Sequence, residues 1–169
     1  VFFADAFLSL SALGFENAVF ADHLNSFKAF PQCASDSSIL CELKAAQHEL
    51  HCWGGGNQVI FDPGKESFHI ISRQCPLGEE FVLLGIHFDC KLLMHKCVSE
   101  CVTSCGWKLE SILRPRRFFS TGELVQLFKS HILSFIEYRI PGVSHASPSV
   151  LLPIDKMLQR FLRQINIGS

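Results

Sequence analysis

Apolar residues recur along this chain in two rhythms. Up to about residue 90, short apolar runs alternate with turn residues; from Lys91 onward the apolar positions fall at helical spacing. "NAVFADHLNSFKAF", Asn17 to Phe30, holds two strand-like runs around Asp22 and His23 and predicts a hairpin. Ser35, Asp36 and Ser37 are N-cap residues for an amphipathic helix over 36–53, in which Leu40, Leu43, Leu50 and Trp53 share a face; "GGGN", Gly54 to Asn57, predicts its end. "QVIFD" and "ESFHIIS" flank Pro63-Gly64 and predict two short strands, and "FVLLGIHFD", Phe81 to Asp89, predicts another.

The second half predicts helices, with Trp107, Ile112, Leu124, Leu127, Phe128, Ile132, Phe135 and Ile136 in the apolar pattern. Ser120 and Glu123 form a capping box at the start of one of them. Pro141, Gly142 and "SHASPS" interrupt the pattern. A last helix, about 149–165, carries Leu152, Met157, Leu158, Phe161 and Leu162 toward the core and Arg160 and Arg163 toward solvent. The fold class expected is α+β: a small antiparallel sheet packed on helices over residues 1–90, followed by an all-helical lobe over 91–169.

Composition adds three constraints. At 169 residues, 48% of them hydrophobic, the chain has enough material for a core. No apolar run reaches the roughly 18 residues of a membrane helix, and the longest, "VFFADAFLSLSALGF", contains Asp5 and has no basic start. A chain with no membrane partner is expected, and the missing initiator Met makes it read as a piece of something longer. The net charge of -1 conceals an asymmetry: 6 Lys/Arg against 12 Asp/Glu in residues 1–106, but 9 against 4 in residues 107–169. A basic C-terminal third suits an anionic partner or a solvated helix face. Eight cysteines without a secretory signal are expected to be reduced thiols of an intracellular protein, nuclear or cytoplasmic.

The candidate chemistry begins at the first hairpin, because a tight turn with acidic groups at its tip can hold divalent ions. "VFADHLNSF", Val19 to Phe27, resembles the (Tyr/Phe)-Ala-Asp-Asp hairpin of reverse transcriptases, and the order of the following segments resembles the non-LTR retrotransposon type. "VFFADA" is similar to the tail of the helical template-contacting segment. "FDPGKESFHIIS" is similar to the Asn-Pro-x-Lys segment after the palm helix, "LLGIHFDCKL" to the Leu-Gly-x-x-x-Asp strand of the primer grip, and the helices from Trp107 to Tyr138 to the thumb. The resemblance implies a partial palm over 1–90, with a metal-site hairpin at 17–30 and a primer-grip strand at 81–89, and a thumb over 91–169.

By the same resemblance Asp22 is a ligand for catalytic Mg²⁺, Lys65 lies near the phosphates of an incoming nucleotide, and Leu84, Gly85 and Phe88 steady a primer end. Arg114, Arg116, Arg117 and Lys129 meet the backbone of an RNA template with its DNA primer, or of an RNA–DNA hybrid. The ancestral reaction implied is RNA-templated DNA synthesis. Two departures accompany it: the family's second Asp is His23 here, a neutral donor that Mg²⁺ disfavours, and the strand bearing the first catalytic Asp is not in the sequence. A degenerate domain, inactive by itself, is expected; the alternative is a non-catalytic nucleic-acid-binding remnant using the basic lobe.

A competing metal site involves Cys97, Cys101 and Cys105 at i, i+4 and i+8, with His87, Cys90 and His95 nearby in sequence. Three thiols along one rod cannot all reach one tetrahedral ion, so they are expected to be buried, packing as small hydrophobes. The His48/Cys52 pair, also at i, i+4, is likewise not expected to be a metal site. No Gly-x-Ser-x-Gly elbow or His-Glu-x-x-His helix supports a hydrolase.

Overall fold

In the computed structural model, residues 3–20 and 23–165 are described. The chain divides into two compact units, residues 1–68 and 69–169. This break lies earlier than the expected one after residue 90, because the segment around Ile86 packs into the core of the second unit. The class is α+β, with helices and two small antiparallel sheets. Among the described residues, no helix is long and apolar enough to cross a membrane.

The first unit opens with α1 (Ala4–Ala12), which ends in a reciprocal pair of bonds: Gly14 N–H to Ser11 O at 2.9 Å and Phe15 N–H to Leu10 O at 3.1 Å. Gly14 supplies the left-handed turn at φ +81, and the accompanying apolar contact is Phe15 on Leu10. The chain then enters β1 (Glu16–Phe20), which pairs antiparallel with β2 (His23–Phe27) in a register that sets Phe20 opposite His23. The predicted hairpin is therefore present, with Ala21 and Asp22 at its turn lying outside the described residues. Just after β2, Lys28 donates to Leu13 O at 2.8 Å and to the Glu42 carboxylate at 2.7 Å, tying the hairpin to both helices.

Helix α2 (Asp36–Gly56) is capped by Ser35, whose hydroxyl accepts from Ser38 N–H at 3.3 Å. It is longer than expected, because all three glycines remain helical and Asn57 closes it. Gly54 is required there: a Cβ would lie 2.7 Å from Val59 O and 2.8 Å from the Phe61 ring. The predicted strands at 58–62 and 66–72 do not form. Their backbone runs as turns and irregular segments, with one isolated bridge, Ile70 to Leu77. The core of this unit is small, with Leu10, Phe15 and Ala46 buried beneath Leu43 and Leu50.

In the second unit, the predicted strand at 81–89 is instead a hairpin, β3 (Phe81–Leu83) with β4 (Ile86–Phe88). Leu84 and Gly85 turn between them at φ +49 and +74, the two positive values a type I′ turn demands. Helix α3 (His95–Leu113) follows. Then come a 3₁₀ turn at Arg116–Phe118, α4 (Thr121–Phe128), a π turn at Lys129–Leu133, α5 (Ser134–Glu137), α6 (Ile140–Val143) and α7 (Pro148–Gln164).

The capping box at α4 is present as expected: Ser120 N–H donates to Glu123 at 2.7 Å and Glu123 N–H to Ser120 Oγ at 3.3 Å. The π turn has a cause in the sequence. Leu124, Phe128, Ile132 and Ile136, all buried, recur every fourth residue, a spacing that drifts by about 40° per step on a 3.6-residue helix. One wider turn absorbs the drift and keeps all four in the core of the second unit.

On α7 the core stripe is Val150, Ile154, Met157 and Phe161. Leu152 and Leu162, expected inside, are exposed, and so is Trp107 on α3. The apolar residues on these helices outnumber the positions one face can bury, so pattern alone misassigns the surplus.

Before α3 the backbone takes two strained left-handed residues, Leu92 (φ 54) and Met94 (φ 63). The Asp89 carboxylate holds this loop by accepting from the N–H groups of Lys91 (3.0 Å), Leu93 (3.0 Å) and Met94 (2.7 Å). Burial alone raises its pKa, but these donors outweigh that and leave it below the ordinary aspartate value. A group whose folded pKa is depressed contributes stability above its unfolded pKa, about 3.9, that is lost as pH falls through the folded value. Asp89→Asn is expected to cost about 1–2 kcal/mol at pH 7, toward the lower end because the carboxylate is partly solvated. Urea unfolding followed by circular dichroism between pH 7 and 3 checks this, with the difference from wild type shrinking below pH 4.

Candidate nucleic-acid interface

The residues singled out in the sequence fall into three places. His23 is exposed at the start of β2, while its neighbour Asp22 lies outside the described residues. Lys65 belongs to the turn after Pro63. There Asp62 accepts from Gly64 N–H at 3.0 Å, and the exposed Lys65 ammonium stands 3.9 Å from the Asp62 carboxylate. Among the described residues, the hairpin and this turn offer an imidazole and a lysine facing a carboxylate, which are not the oxygen-rich donor set that Mg²⁺ requires.

Leu84, Gly85 and Phe88 belong to the second hairpin. Tyr138 Oη donates to Leu84 O at 2.7 Å, anchoring the turn to the end of α5. Phe88 is half-buried, with Phe81 stacked on it at 5.5 Å and Gly142 close against the ring edge. It is a packing residue, and what the hairpin leaves to solvent is its turn. Sequence reasoning missed Tyr138 as the anchor, since its partner is 54 residues away.

The basic residues of the second unit sort by partner. Lys108 and Arg139 lie over the Phe135 ring, at 3.7 and 3.8 Å from its centroid. Arg160 is paired with Glu110, and Arg116 with the Gln164 side chain. Those two contacts bring the C-terminal ends of α3 and α7 together, so Arg114, Arg116, Arg117, Arg160 and Arg163 collect at one end of the helix pair. Arg114, Arg117, Arg163 and Lys129 are exposed and form no ion pair among the described residues. Two helix C-termini place partial negative charge beneath this cluster and offset the repulsion among its guanidinium groups. Phe118, 73% exposed, carries Arg117 4.7 Å above its ring, and Phe119 follows it at the surface. Arg160 and Arg163 were visible in the sequence as solvent-facing arginines; their meeting with residues 114–117 depends on how α7 packs.

The cysteines of α3 behave as expected for core thiols: Cys97, Cys101 and Cys105 are all buried. Cys101 shares a hydrogen bond with Cys105 that, together with burial, pushes its pKa up; the same bond lowers that of Cys105, assisted by Lys108 and Arg139. Burial also raises Cys97. Cys90, equally buried, donates to the carbonyls of Gly78 and Glu79, and His87 faces Glu100 at 3.5 Å. A shallow cleft of about 250 Å³ beside β4 includes Glu80, His87, His95 and Lys96, with Lys96 paired to Glu80. Among the described residues, no group of three or more His, Cys, Asp or Glu converges on a common metal position.

Comparison with known proteins adds no relative: no family model, no curated protein and no solved structure matches this chain.

Leu84 in a left-handed conformation is the strained point of the second hairpin, where Asn is the residue a type I′ turn prefers. Leu84→Asn, which keeps the carbonyl that Tyr138 binds, is expected to raise stability by about 0.5–1 kcal/mol. Urea denaturation monitored by circular dichroism measures this, and a drop in stability of similar size would mean that the Leu84 side chain contributes more than its backbone costs.

Proposed function

We propose that this chain is a nucleic-acid-binding remnant of a non-LTR-type reverse transcriptase, acting inside the cell through the basic end of its helical second unit and not by catalysis. The observation that carries the reading is the arginine cluster Arg114, Arg116, Arg117 and Arg163 beside exposed Phe118. Guanidinium groups bind phosphate oxygens, and an exposed aromatic ring offers a face to an unpaired base. The order of the segments in the sequence supports the ancestry, and the solvent-facing turn of the second hairpin, Leu84 and Gly85, is compatible with a former primer grip. His23 argues against retained catalysis. It replaces an anionic oxygen ligand by a neutral nitrogen where two cations would have to be held, and the chemistry needs both.

Fluorescence anisotropy with a labelled RNA–DNA hybrid and with single-stranded RNA tests the binding. Neutralising three to four phosphates predicts a log–log salt slope of about -2.7 to -3.6 on a duplex and about -2.1 to -2.8 on single-stranded RNA, and the triple variant Arg114→Ala/Arg116→Ala/Arg117→Ala should flatten it by about 0.7–0.9 for each phosphate left without its arginine. Binding that ignores salt, or that survives the triple variant unchanged, overturns the reading.

Primer extension on an RNA template with Mg²⁺ or Mn²⁺ tests the absence of catalysis. No product is expected from the chain as it stands. Templated extension by it would establish the ancestral activity as the present one.

A further inference from the structure

Helix α2 carries a pair of side chains that the nucleic-acid reading does not use. His48 and Cys52 are one turn apart, both exposed, with His48 Nε2 3.6 Å from Cys52 Sγ. Zinc bonds to sulfur at ≈ 2.3 Å and to imidazole nitrogen at ≈ 2.0–2.1 Å, and at the tetrahedral angle these lengths set the two donors about 3.6 Å apart. The contact is a thiol–imidazole hydrogen bond, and its length also matches the donor separation a single Zn²⁺ ion would need, so the ion could replace the shared proton without moving the helix. From this geometry we infer that His48 and Cys52 form a two-residue claw for Zn²⁺, with the remaining positions left to solvent or an exchangeable ligand.

The surroundings favour access. Residues three and four positions beyond Cys52 are Gly55 and Gly56, and open space stands where their Cβ atoms would be. Unlike Gly54, these glycines meet no close packing contact, although each weakens the helix. Ala45, three residues before His48, adds only a methyl group. The exposed Lys44, four residues before His48, is the one cation on that stripe among the described residues, its ammonium free to swing into solvent on a four-carbon stem. His51 does not compete for the ion, because its Nε2 is committed to the Glu66 carboxylate at 2.9 and 3.0 Å.

Binding exchanges the thiol proton for the metal: the Cys52 S–H bond breaks, its proton passes to buffer, the sulfur electron pair bonds Zn²⁺, and neutral His48 donates its Nε2 lone pair. A thiolate and an imidazole select a soft or borderline ion over Mg²⁺. The claw and the arginine cluster share no residue, so each stands or falls by itself.

The test uses the full chain, with Cys33, Cys41 and Cys75 replaced by Ser to remove the other exposed thiols, in a non-thiol reductant. Titration with Co²⁺ should give a sulfur-to-cobalt charge-transfer band that Zn²⁺ abolishes. Cys52→Ser should remove the band. His48→Ala should weaken binding at least about tenfold, the lower end of what is lost when even a residue that only orients a ligand is removed. In the parent, Zn²⁺ should slow iodoacetamide alkylation of Cys52, read by peptide mass spectrometry, and that protection should disappear in His48→Ala. Absence of the band, or a band and protection undiminished by either substitution, overturns the inference.

Discussion

The second unit depends on the apolar seam where α3 and α7 meet α4 and the π turn. Phe161 of α7, 2% exposed, stacks on Phe128 at 3.9 Å with the rings 7° from parallel, and the seam continues through Cys105, Leu109, Ile132 and Met157. Burial of this kind, worth roughly 25 cal/mol for each Å² removed from water, holds a lobe that has few polar contacts across its middle. Everything at its rim follows. The π turn keeps residues spaced by four in this core, and the cysteines of α3 pack there as small apolar side chains.

The same seam creates the charged end. Pairing the two helices in parallel at their C-termini gathers arginines that lie some 50 residues apart in sequence, and the pairs Arg160–Glu110 and Arg116–Gln164 hold that register. Cations elsewhere in the lobe are used differently: Lys108 and Arg139 are consumed in covering Phe135. A count of charges therefore overstates the surface open to an anion, because position decides which arginines remain available.

The first unit is built more locally. A left-handed glycine turn after α1, a serine cap before α2 and the twofold grip of Lys28 account for most of its order, around a core of only a few buried side chains. Local hydrogen bonding of this type is written in short stretches of chain, while the segments that follow α2 lack sheet partners and settle as turns.

By itself the sequence determined the first hairpin, the span of α2 apart from its last turn, the capping box of α4, the extent of α7 and the burial of the α3 thiols. The first four rest on contacts among residues near one another in the chain, where capping groups, turn residues and periodicity act directly, and the thiol burial was legible because the three cysteines share one helix face. Only the tertiary structure decided that residues 81–89 fold back as a hairpin pinned by Tyr138, and that Leu152, Leu162 and Trp107 lie outside. It alone brought the arginines of residues 114–117 to the end of α7. Those outcomes turn on which of several apolar faces finds a partner, a choice made by packing between distant segments and invisible to any local window.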